Sequence, residues 1–573
     1  MKSYKELIRV KGVKSTSFEE IDVALLSDQS TQFLSKTISG TGIQNSLNIS
    51  VWEAPINQIE NQIYNLNSKF NLKSFKTSII FESSHSLLKE YNLSDSKENF
   101  AESQFDRIKK YINFIINSKD MNIILFNFYE LNDFVYGNFS SINKHSFIFQ
   151  LRKLNFLISE CFLKTNRVSI LDISTIQNII GSDKMLDQSL YINYGMILSL
   201  DSLPYISKNI VDLINVQLAH FNKCLILDLD NTLWGGIIGD DGIENIELGD
   251  LGIGKAFVEF QLWVKKLKER GVIICICSKN NEDIAKSVFI NHPDMKLKLD
   301  DISLFIANWD SKVDNIKRIQ KVLNIGFDSM VFLDDNPYER NSVIENIPNI
   351  TVPELPKDPS NYLSFLYLEN LFETINVSKL DKDRTNLYRT EYERLKFKSD
   401  YTDLSDYMKS LNMKSKVEFL NDFNIPRVSQ LSYRSNQFNL RTIRYSEDEL
   451  NKIMRSKLYF SLVFDLSDKF GSHGIVSYLI LKKTSSEKIF IENWAMSCRV
   501  LERGMEQFII NYINDFLKKK NYYLLIGEYI KTNKNIIVKD LYTKLGFSVF
   551  QKKYKLNLIK NNHLQNHIKI QND

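Results

Sequence analysis

Short apolar runs alternate with longer amphipathic stretches along the first 215 residues of the chain. The runs at 21–26, 47–51, 77–81, 121–126 and 168–171 have the length and composition of strands. Strands separated by helical segments pair in parallel, because each crossover returns the chain to the same end of the sheet. Residues 1–215 are therefore predicted to form an α/β domain.

Ser30 follows the first of these strands, at the place where SGNH hydrolases carry their nucleophile, which gives a weak resemblance to that group. Hydrolysis by such enzymes also needs a downstream Asp-x-x-His pattern. Here Asp187 is followed by Gln, Ser and Leu. We therefore expect an SGNH-like domain that is non-hydrolytic.

A buried strand that ends in carboxylates is the most informative pattern of the chain. The apolar run 224–227 is followed by Asp228, Asp230 and Thr232. Open α/β sheets bind ligands at the carboxyl ends of their strands. Two carboxylates so close repel each other unless a cation or a proton lies between them, and Mg²⁺ takes carboxylates while leaving room for phosphate. The alternative is a strand-end turn with two solvated aspartates.

Three later segments complete a phosphoryl-transfer pattern. A second apolar strand ends in Ser278, a helix start carries Lys312, and a third strand ends in Asp334 and Asp335. This order resembles the haloacid dehalogenase (HAD) superfamily of aspartate-nucleophile phosphotransferases. Taken singly, Ser278 is equally an N-cap and Lys312 a solvated helix residue.

The HAD resemblance implies a role for each of these residues. Asp228 attacks phosphorus to form an aspartyl-phosphate, and Asp230 protonates the leaving oxygen and then activates water. Mg²⁺ offsets charge on the phosphoryl oxygens. The residues expected to hold those oxygens are Thr232, Ser278 and Lys312. The expected metal ligands are Asp228, the backbone carbonyl of Asp230, and Asp334 or Asp335.

Longer matching segments indicate one subfamily within the HAD superfamily. The chain is similar to FkbH-like proteins, a HAD subfamily, over about residues 215–555. The resemblance implies an enzyme that takes a glyceryl unit from 1,3-bisphosphoglycerate, removes phosphate, and loads the unit as a thioester on the phosphopantetheine arm of an acyl carrier protein. The matching segments are 227–242, 277–280, 291–295, 308–312, 332–340, 435–440, 468–471 and 496–501.

Cys277 directly precedes Ser278, and the family resemblance gives such a cysteine the role of carrying the acyl group. A thiolate beside Lys279 and Lys312 is expected to have a lowered pKa, which favours attack on an acyl phosphate. The alternative is packing, because Cys275 and Cys277 alternate on a buried strand, where free cysteine is often a small apolar side chain. We expect Cys277 to be catalytic and Cys275 to be structural.

The C-terminal part, 411–557, resembles the GNAT acyltransferase fold, with strands at 475–481 and 489–494. Such folds bind a phosphate at a helix N-terminus. Glu502 stands where the GNAT pattern has glycine and opposes a second phosphate, which favours phosphopantetheine over CoA. The residues expected to contact the carrier's pantetheine arm are Asn436, Gln437, Arg499, Arg503 and Gly504. The alternative for both arginines is a surface ion pair with Glu502 or Glu506.

The remaining boundaries follow from composition. The HAD-like domain is expected to span 216–375, since a proline-rich stretch at 348–359 cannot continue a helix or a central strand. The charged segment 376–410 predicts a helical linker, and 558–573 a polar tail. The predicted fold class is multidomain α/β: a central HAD-type Rossmann-like parallel sheet flanked by the SGNH-like α/β domain and a GNAT-like α+β domain.

Composition and charge exclude several classes of function. The net charge is +4 with 25% charged residues and no long basic block, so a nucleic-acid partner has no support. No N-terminal signal and no apolar run of membrane-spanning length occurs, so we expect no membrane partner. The five cysteines lack C-x-x-C spacing, which favours reduced thiols and a cytoplasmic location.

Three other functions compete with glyceryl transfer to a carrier protein. They are a plain phosphatase of a small phosphate ester, a scaffold with a catalytically dead HAD core, and glyceryl or acyl transfer to an amino sugar in surface-polysaccharide synthesis. Intact Asp228, Asp230, Lys312 and Asp334 favour an enzyme. The sequence leaves open the acceptor, the carrier protein, the pathway, the oligomeric state and any activity of the N-terminal domain.

Overall fold

The structure is a computed structural model. It divides into two compact units, one of Met1–His220 with Leu366–Asn376 and one of Phe221–Phe365 with Val377–Asp573. Most of the expected linker 376–410, and Glu502, lie outside the described residues. The residues that the structure describes are 2–10, 18–163, 165, 167–375, 388, 390, 394, 397, 401, 403–501, 503–532, 534–551 and 553–571.

The N-terminal unit contains a parallel sheet with the strand order β2-β1-β3-β4-β5. All five predicted strands are present, so the α/β prediction is confirmed. The strands are β1 Glu19–Ser27, β2 Leu47–Glu53, β3 Thr77–Phe81, β4 Asn122–Phe126 and β5 Val168–Leu171. The helices are Tyr4–Arg9, Gln32–Gln44, Ile59–Tyr64, Lys69–Leu72, Ser84–Leu93, Phe100–Ser118, Gly137–Ile142 (3₁₀), Phe147–Cys161, Ile173–Ile180, Ser182–Met185, Gln188–Tyr194 and Leu203–Gln217.

The central part is a second parallel sheet with the strand order β8-β7-β6-β9. Strand β8 is not among the predicted strands, because its apolar run merges into the loop that leads to Lys312. The strands are β6 Cys224–Leu227, β7 Ile273–Ser278, β8 Leu304–Ala307 and β9 Met330–Leu333. The helices are Ile238–Asp241, Gly254–Glu269, Glu282–Asn291, Lys312–Leu323, Pro337–Asn346 and Tyr362–Glu369, with 3₁₀ turns at Leu299–Asp301, Phe327–Ser329 and Pro359–Asn361.

The C-terminal part is a mixed sheet, which confirms the predicted α+β class. The order is β16-β17-β15-β14-β13-β12-β10-β18, with β11 on β12, and β14 pairs in parallel with β15. The strands are β10 Lys414–Ser415, β11 Val417–Phe419, β12 Tyr459–Asp468, β13 Gly471–Lys483, β14 Lys488–Met496, β15 Leu524–Gly527, β16 Ser548–Phe550, β17 Lys553–Asn557 and β18 Lys569–Ile570. The helices are Leu404–Ser410, Ile425–Arg434, Glu447–Arg455, Cys498–Val500 (3₁₀), Met505–Lys518, Ile536–Val538 (3₁₀) and Leu541–Lys544.

The segment expected to be a polar tail belongs to this sheet. Strand β18 pairs in parallel with β10, and the side chains of Leu558 and Ile568 are buried. The side chain of Asn511 donates a hydrogen bond to the carbonyl of Leu564 at 2.7 Å. A few apolar residues at wide spacing therefore anchor a polar segment. Among the described helices, none has the length and apolar content needed to span a bilayer.

Candidate active site

Three charged side chains meet at the carboxyl edge of the sheet β8-β7-β6-β9. Asp228 follows β6, Asp334 follows β9, and Lys312 is the first residue of the helix Lys312–Leu323. The ammonium of Lys312 lies 2.8 Å from Oδ2 of Asp228 and 2.6 Å from Oδ2 of Asp334. All three side chains are buried. The parallel pairing of β6 with β9 aligns the ends of the two strands, and so brings the two carboxylates together.

The same edge offers a divalent cation three carboxylates. Ligand oxygens of Asp228, Asp334 and Asp335 lie within 4.8 Å of one another. Among the described residues, the buried Oδ1 of Asp228 has no hydrogen-bond partner, which is costly for a carboxylate oxygen unless a ligand completes it. Hard oxygen donors in this number suit Mg²⁺. The residues present therefore fit the predicted cation.

Burial and mutual repulsion set the charges of this cluster. Burial raises the pKa of Asp334 above its ordinary value, Asp228 raises it further, and Lys312 opposes both. Burial would lower the pKa of Lys312, but the two carboxylates raise it well above its ordinary value. Lys312 therefore stays an ammonium. Burial also raises the pKa of Asp335. The excess of carboxylates over ammonium groups makes this edge attractive to a cation.

Asp230 is held by donors of its own. Its Oδ1 accepts hydrogen bonds from the indole of Trp234 at 2.9 Å and from the amide of Ile238 at 3.1 Å. Its Oδ2 accepts one from the side-chain amide of Asn280 at 2.9 Å. Three donors fix a half-buried carboxylate, as proton transfer to and from a reacting group requires. The metal contact through its backbone carbonyl stays a prediction.

Asn280 is a residue to which the sequence analysis gave no role. Its side-chain amide also donates to Oγ of Ser278 at 3.2 Å, so one group orients both Asp230 and a predicted phosphate-binding hydroxyl. Asn280 and Ser278 are both buried. The sequence feature that could have identified Asn280 is the matching segment 277–280, in which an amide side chain follows the end of a strand.

The other predicted phosphate-binding residues lie at the same edge. Ser278 ends β7, and Thr232 lies in the turn after Asp230. Both side chains are buried. In the described part of the chain, Oγ1 of Thr232 has no hydrogen-bond partner, so its bonding capacity is unused. The roles of Thr232 and Ser278 toward phosphate stay predictions.

The acidic loop after β9 is braced by the helix that follows it. The amide of Asn336 donates to Oδ1 of Asp334 at 2.9 Å. The guanidinium of Arg340 donates to the carbonyl oxygens of Asp334 at 2.9 Å and Asp335 at 2.6 Å. These bonds fix the backbone that carries two candidate metal ligands.

Cys277 is placed differently from its expectation. The side chain is fully buried in an apolar cluster with Cys224 and Cys275, and its Sγ lies 3.8 Å from the carbonyl oxygen of Lys312. Burial raises the pKa of the thiol well above its ordinary value, and Lys312 opposes this only in part. The expected lowering of the pKa is therefore wrong. Side chains alternate along a strand, so Cys277 faces the core while Ser278 faces the other way.

Arg503, one of the expected carrier-binding residues, lies in a buried ion cluster. Its Nη1 is 3.3 Å from Oδ2 of Asp468. Asp468 also accepts hydrogen bonds from Arg394 at 2.7 and 2.9 Å. An ion pair of Arg503 is thus formed with Asp468, and the expected alternative partner Glu502 lies outside the described residues. To bind a phosphate, Arg503 would have to contact the phosphate in addition to the carboxylate of Asp468.

His473 belongs to the same cluster. It lies in β13, and its Nε2 is 3.2 Å from Oδ2 of Asp468. Burial lowers the pKa of His473 to about 4, and the hydrogen bond to Asp468 opposes this shift only in part. The ring is therefore a neutral, buried partner of the carboxylate at neutral pH.

The remaining expected carrier-binding residues lie in two short segments of the C-terminal part. Gly504, with φ +79°, is the N-cap of the helix Met505–Lys518, and the left-handed backbone there favours glycine. The guanidinium of Arg499 lies 5.9 Å from the ring centre of Tyr388. Asn436 and Gln437 follow the helix Ile425–Arg434, and Asn436 accepts a hydrogen bond from Arg444 at 3.2 Å. Pantetheine binding by these residues stays a prediction.

Comparisons with known proteins match parts of the chain. The family model described as FkbH, N-terminal domain, matches residues 22–215. The crystal structure of the N-terminal part of the protein BF1531 from Bacteroides fragilis, containing a phosphatase domain complexed with Mg, is 47% identical. That match covers 66% of this chain and 100% of the other, with a TM-score of 0.63. A HAD-like hydrolase superfamily protein from Schizosaccharomyces pombe is 26% identical, over 26% of this chain and 96% of the relative.

Proposed function

The chain belongs to the FkbH-like family of HAD-superfamily proteins, and on that premise we propose that its central domain is a Mg²⁺-dependent phosphatase coupled to acyl transfer. The observation that carries the proposal is the buried group of Asp228, Lys312 and Asp334, with Asp335 beside it. Such a group, at the carboxyl edge of a parallel sheet, suits a phosphoryl group held with a divalent cation.

Hydrolysis of a phosphate ester follows from the roles of two aspartates. Asp228 attacks phosphorus, the bond to the leaving oxygen breaks, and Asp230 gives that oxygen its proton. Asp230 then takes a proton from water, whose oxygen displaces Asp228 and releases phosphate. Lys312 holds a phosphoryl oxygen by a charge-assisted hydrogen bond. When bound by Asp228, Asp334 and Asp335, Mg²⁺ supplies positive charge to the phosphoryl oxygens.

The finer proposal concerns the substrate and the acceptor. We infer 1,3-bisphosphoglycerate as substrate and the phosphopantetheine thiol of an acyl carrier protein as acceptor, on the strength of the family resemblance. The thiol sulfur attacks the acyl carbon, the bond from that carbon to the phosphate oxygen breaks, and inorganic phosphate leaves with the thiol proton. The HAD site then hydrolyses the remaining phosphate ester. The carrier's arm would lie at Asn436, Gln437, Arg499, Arg503 and Gly504.

The phosphatase is tested by replacing the nucleophile. Asp228→Asn removes its charge with little change of volume, so release of phosphate from p-nitrophenyl phosphate with Mg²⁺ should fall to background. The matched control is Asp314→Asn, an exposed aspartate on the helix that begins at Lys312. Chelation of Mg²⁺ should silence the wild type. Wild-type phosphate release by Asp228→Asn would refute the assignment of the nucleophile.

The acceptor is tested separately. Candidate carrier proteins are incubated with the enzyme, Mg²⁺ and 1,3-bisphosphoglycerate and measured by intact-protein mass spectrometry. A glyceryl adduct on the phosphopantetheine arm supports the finer proposal. Phosphate release without any carrier adduct would favour the plain phosphatase, and an adduct on an added amino sugar would favour transfer in polysaccharide synthesis.

A further inference from the structure

The N-terminal unit has a cleft at the carboxyl edge of its own sheet, β2-β1-β3-β4-β5. The cleft has a volume of about 490 Å³ and is lined by the loop after β1 and by residues of the helices Ser84–Leu93 and Gln188–Tyr194. Its volume lies within the range of small-molecule sites, and the carboxyl edge is where open α/β sheets bind ligands.

Two acceptors form the polar part of the cleft. Asp28 accepts hydrogen bonds from the amide of Ser83 at 2.9 Å and from its hydroxyl at 3.0 Å. The buried Gln29 donates through Nε2 to Oγ of Ser83 at 3.1 Å. Among the described residues, Oε1 of Gln29 has no hydrogen-bond partner. A buried acceptor without a donor costs folding free energy, and a ligand hydroxyl that donates there would recover it.

The rim of the cleft is apolar and the charge inside it is balanced. Ile192 and Tyr194 line the cleft with 71% and 70% of their surface exposed. The ammonium of Lys89 lies over the ring of Tyr191, 5.4 Å from its centre, and Lys89 and Asp28 are the cationic and the acidic side chain that line the cleft. A ligand here therefore needs no net charge, but gains from a flat apolar face and hydrogen-bond donors along its edge.

The cleft is arranged to bind rather than to cleave. The amide of Ser30 donates to the carbonyl of Gly195 at 3.1 Å. The nearby His85 has its Nδ1 2.7 Å from the hydroxyl of Tyr129. Within the described residues no hydrogen bond joins Ser30 to a histidine, so the nucleophile–base pair that hydrolysis needs is absent there.

We propose that this cleft binds a neutral carbohydrate through Asp28 and Gln29 and through the exposed side chains of Ile192 and Tyr194. Ring hydroxyls donate to the two acceptors, and the C–H face of the ring packs on the tyrosine. This site is separate from the proposed phosphatase chemistry, because it uses none of the residues that the HAD site uses.

Ligand-observed NMR on the full-length protein tests the site. The probes are methyl β-D-glucopyranoside and N-acetylglucosamine, with spermidine and inorganic phosphate as charged comparators. Saturation transfer to at least one sugar is expected in the wild type, and at least a fivefold weaker signal in Gln29→Leu and in Tyr194→Ala. The matched control is Gln44→Leu, an exposed glutamine of the same unit, which should behave as wild type.

Several results would contradict carbohydrate binding at this cleft. No transfer to either sugar, equal transfer in wild type, Gln29→Leu and Tyr194→Ala, or binding of spermidine or phosphate alone would overturn the proposal. Tyr194 is exposed, so its variant decides if Gln29→Leu does not fold by circular dichroism. Release of phosphate from p-nitrophenyl phosphate should be unchanged in both variants, which separates failure of this proposal from failure of the phosphatase.

Discussion

Asn280 shows how much of the site depends on one neutral side chain. Its amide bonds both Asp230 and Ser278, so its loss should slow the proton transfers without removing either group. A hydrogen bond to a charged group contributes about 1.5–3 kcal/mol, which corresponds to a fall in kcat of about 10-fold to 100-fold in Asn280→Ala. Steady-state kinetics with p-nitrophenyl phosphate measures this fall in kcat.

The control for this prediction is Asn291→Ala, an exposed asparagine at the other end of the helix Glu282–Asn291. It should keep the wild-type kcat. A wild-type kcat in Asn280→Ala would show that the Trp234 indole and the Ile238 amide are enough to position Asp230.

The burial of the cysteines leads to a prediction about the reactivity of their thiols. Cys275 and Cys277 are both fully buried, while Cys161 and Cys498 are partly exposed. Iodoacetamide should therefore label Cys161 and Cys498 first in the native protein, and Cys277 no faster than Cys275, as peptide mass spectrometry would show. An acyl adduct on Cys277 after incubation with 1,3-bisphosphoglycerate would mean that this side chain leaves the core during turnover.

The sequence was sufficient for the charged residues of the site and insufficient for Cys277. Asp228, Asp334 and Lys312 each stand directly at the end of an apolar strand or the start of a helix, so parallel pairing alone brings them to one edge. The direction of the Cys277 side chain depends on which face of β7 meets the helix Lys312–Leu323. That choice is made by tertiary packing, which a single strand's residues do not specify.

The β12–β13 hairpin makes the stability of the C-terminal domain sensitive to acid. Burial lowers the pKa of His473 to about 4, so protonation favours the unfolded chain. The stabilisation is present above the ordinary histidine value of about 6.5 and is lost as pH falls toward about 4, by at most about 3 kcal/mol. Hydrogen bonds from His473 and Arg394 outweigh burial and hold the pKa of Asp468 below its ordinary value, so further stability is lost in stronger acid.

Unfolding followed across this pH range tests the hairpin. Chemical denaturation is measured between pH 7 and pH 4 and monitored by hydrogen exchange of β12 and β13. In the wild type, the free energy of unfolding should fall steeply as the pH is lowered. His473→Gln keeps a polar side chain of similar size without titrating, and should flatten that slope. The matched control is His563→Gln, an exposed histidine of the same domain. If the free energy of unfolding of His473→Gln depends on pH as steeply as that of the wild type, other groups cause the loss of stability in acid.

The sequence predicts most strands of the two parallel sheets, but neither β8 nor β18. Strands β3 and β5 have the predicted bounds, whereas β8 is not among the predicted strands and β18 lies in the segment predicted to be a polar tail. Strand β18 is only two residues long, and it is fixed by pairing with β10 and by the burial of Ile568. Contacts between residues distant in sequence create such strands, so local composition does not reveal them.

At the scale of the whole molecule, a fragment of residues 1–375 should fold and keep phosphatase activity. The crystallised N-terminal part of the Bacteroides fragilis protein is matched over its whole length by 66% of this chain. The side chain of Asn324 bonds the carbonyl of Cys498 at 2.7 Å, and Lys534 pairs with Asp328 at 2.6 Å, so truncation removes these polar contacts of the central part.

Circular dichroism and release of phosphate from p-nitrophenyl phosphate, measured on the fragment and on the full chain, check this prediction. The fragment should have full hydrolysis and no carrier loading. An insoluble fragment, or one that folds without hydrolysis, would show that the C-terminal domain is required to complete the HAD core. Loading of a carrier by the fragment would remove the C-terminal domain from the acyl-transfer proposal.

Lys312 also limits how this molecule can change over evolutionary time. Its ammonium is shared by two buried carboxylates, so a lineage that loses the lysine alone keeps two like charges in the protein interior. A catalytically inactive descendant is therefore more accessible through a first step at Asp228 or Asp334 than through one at Lys312. In a mutational scan scored by protein abundance alone, Lys312 should tolerate fewer substitutions than either aspartate, although all three serve the same chemistry.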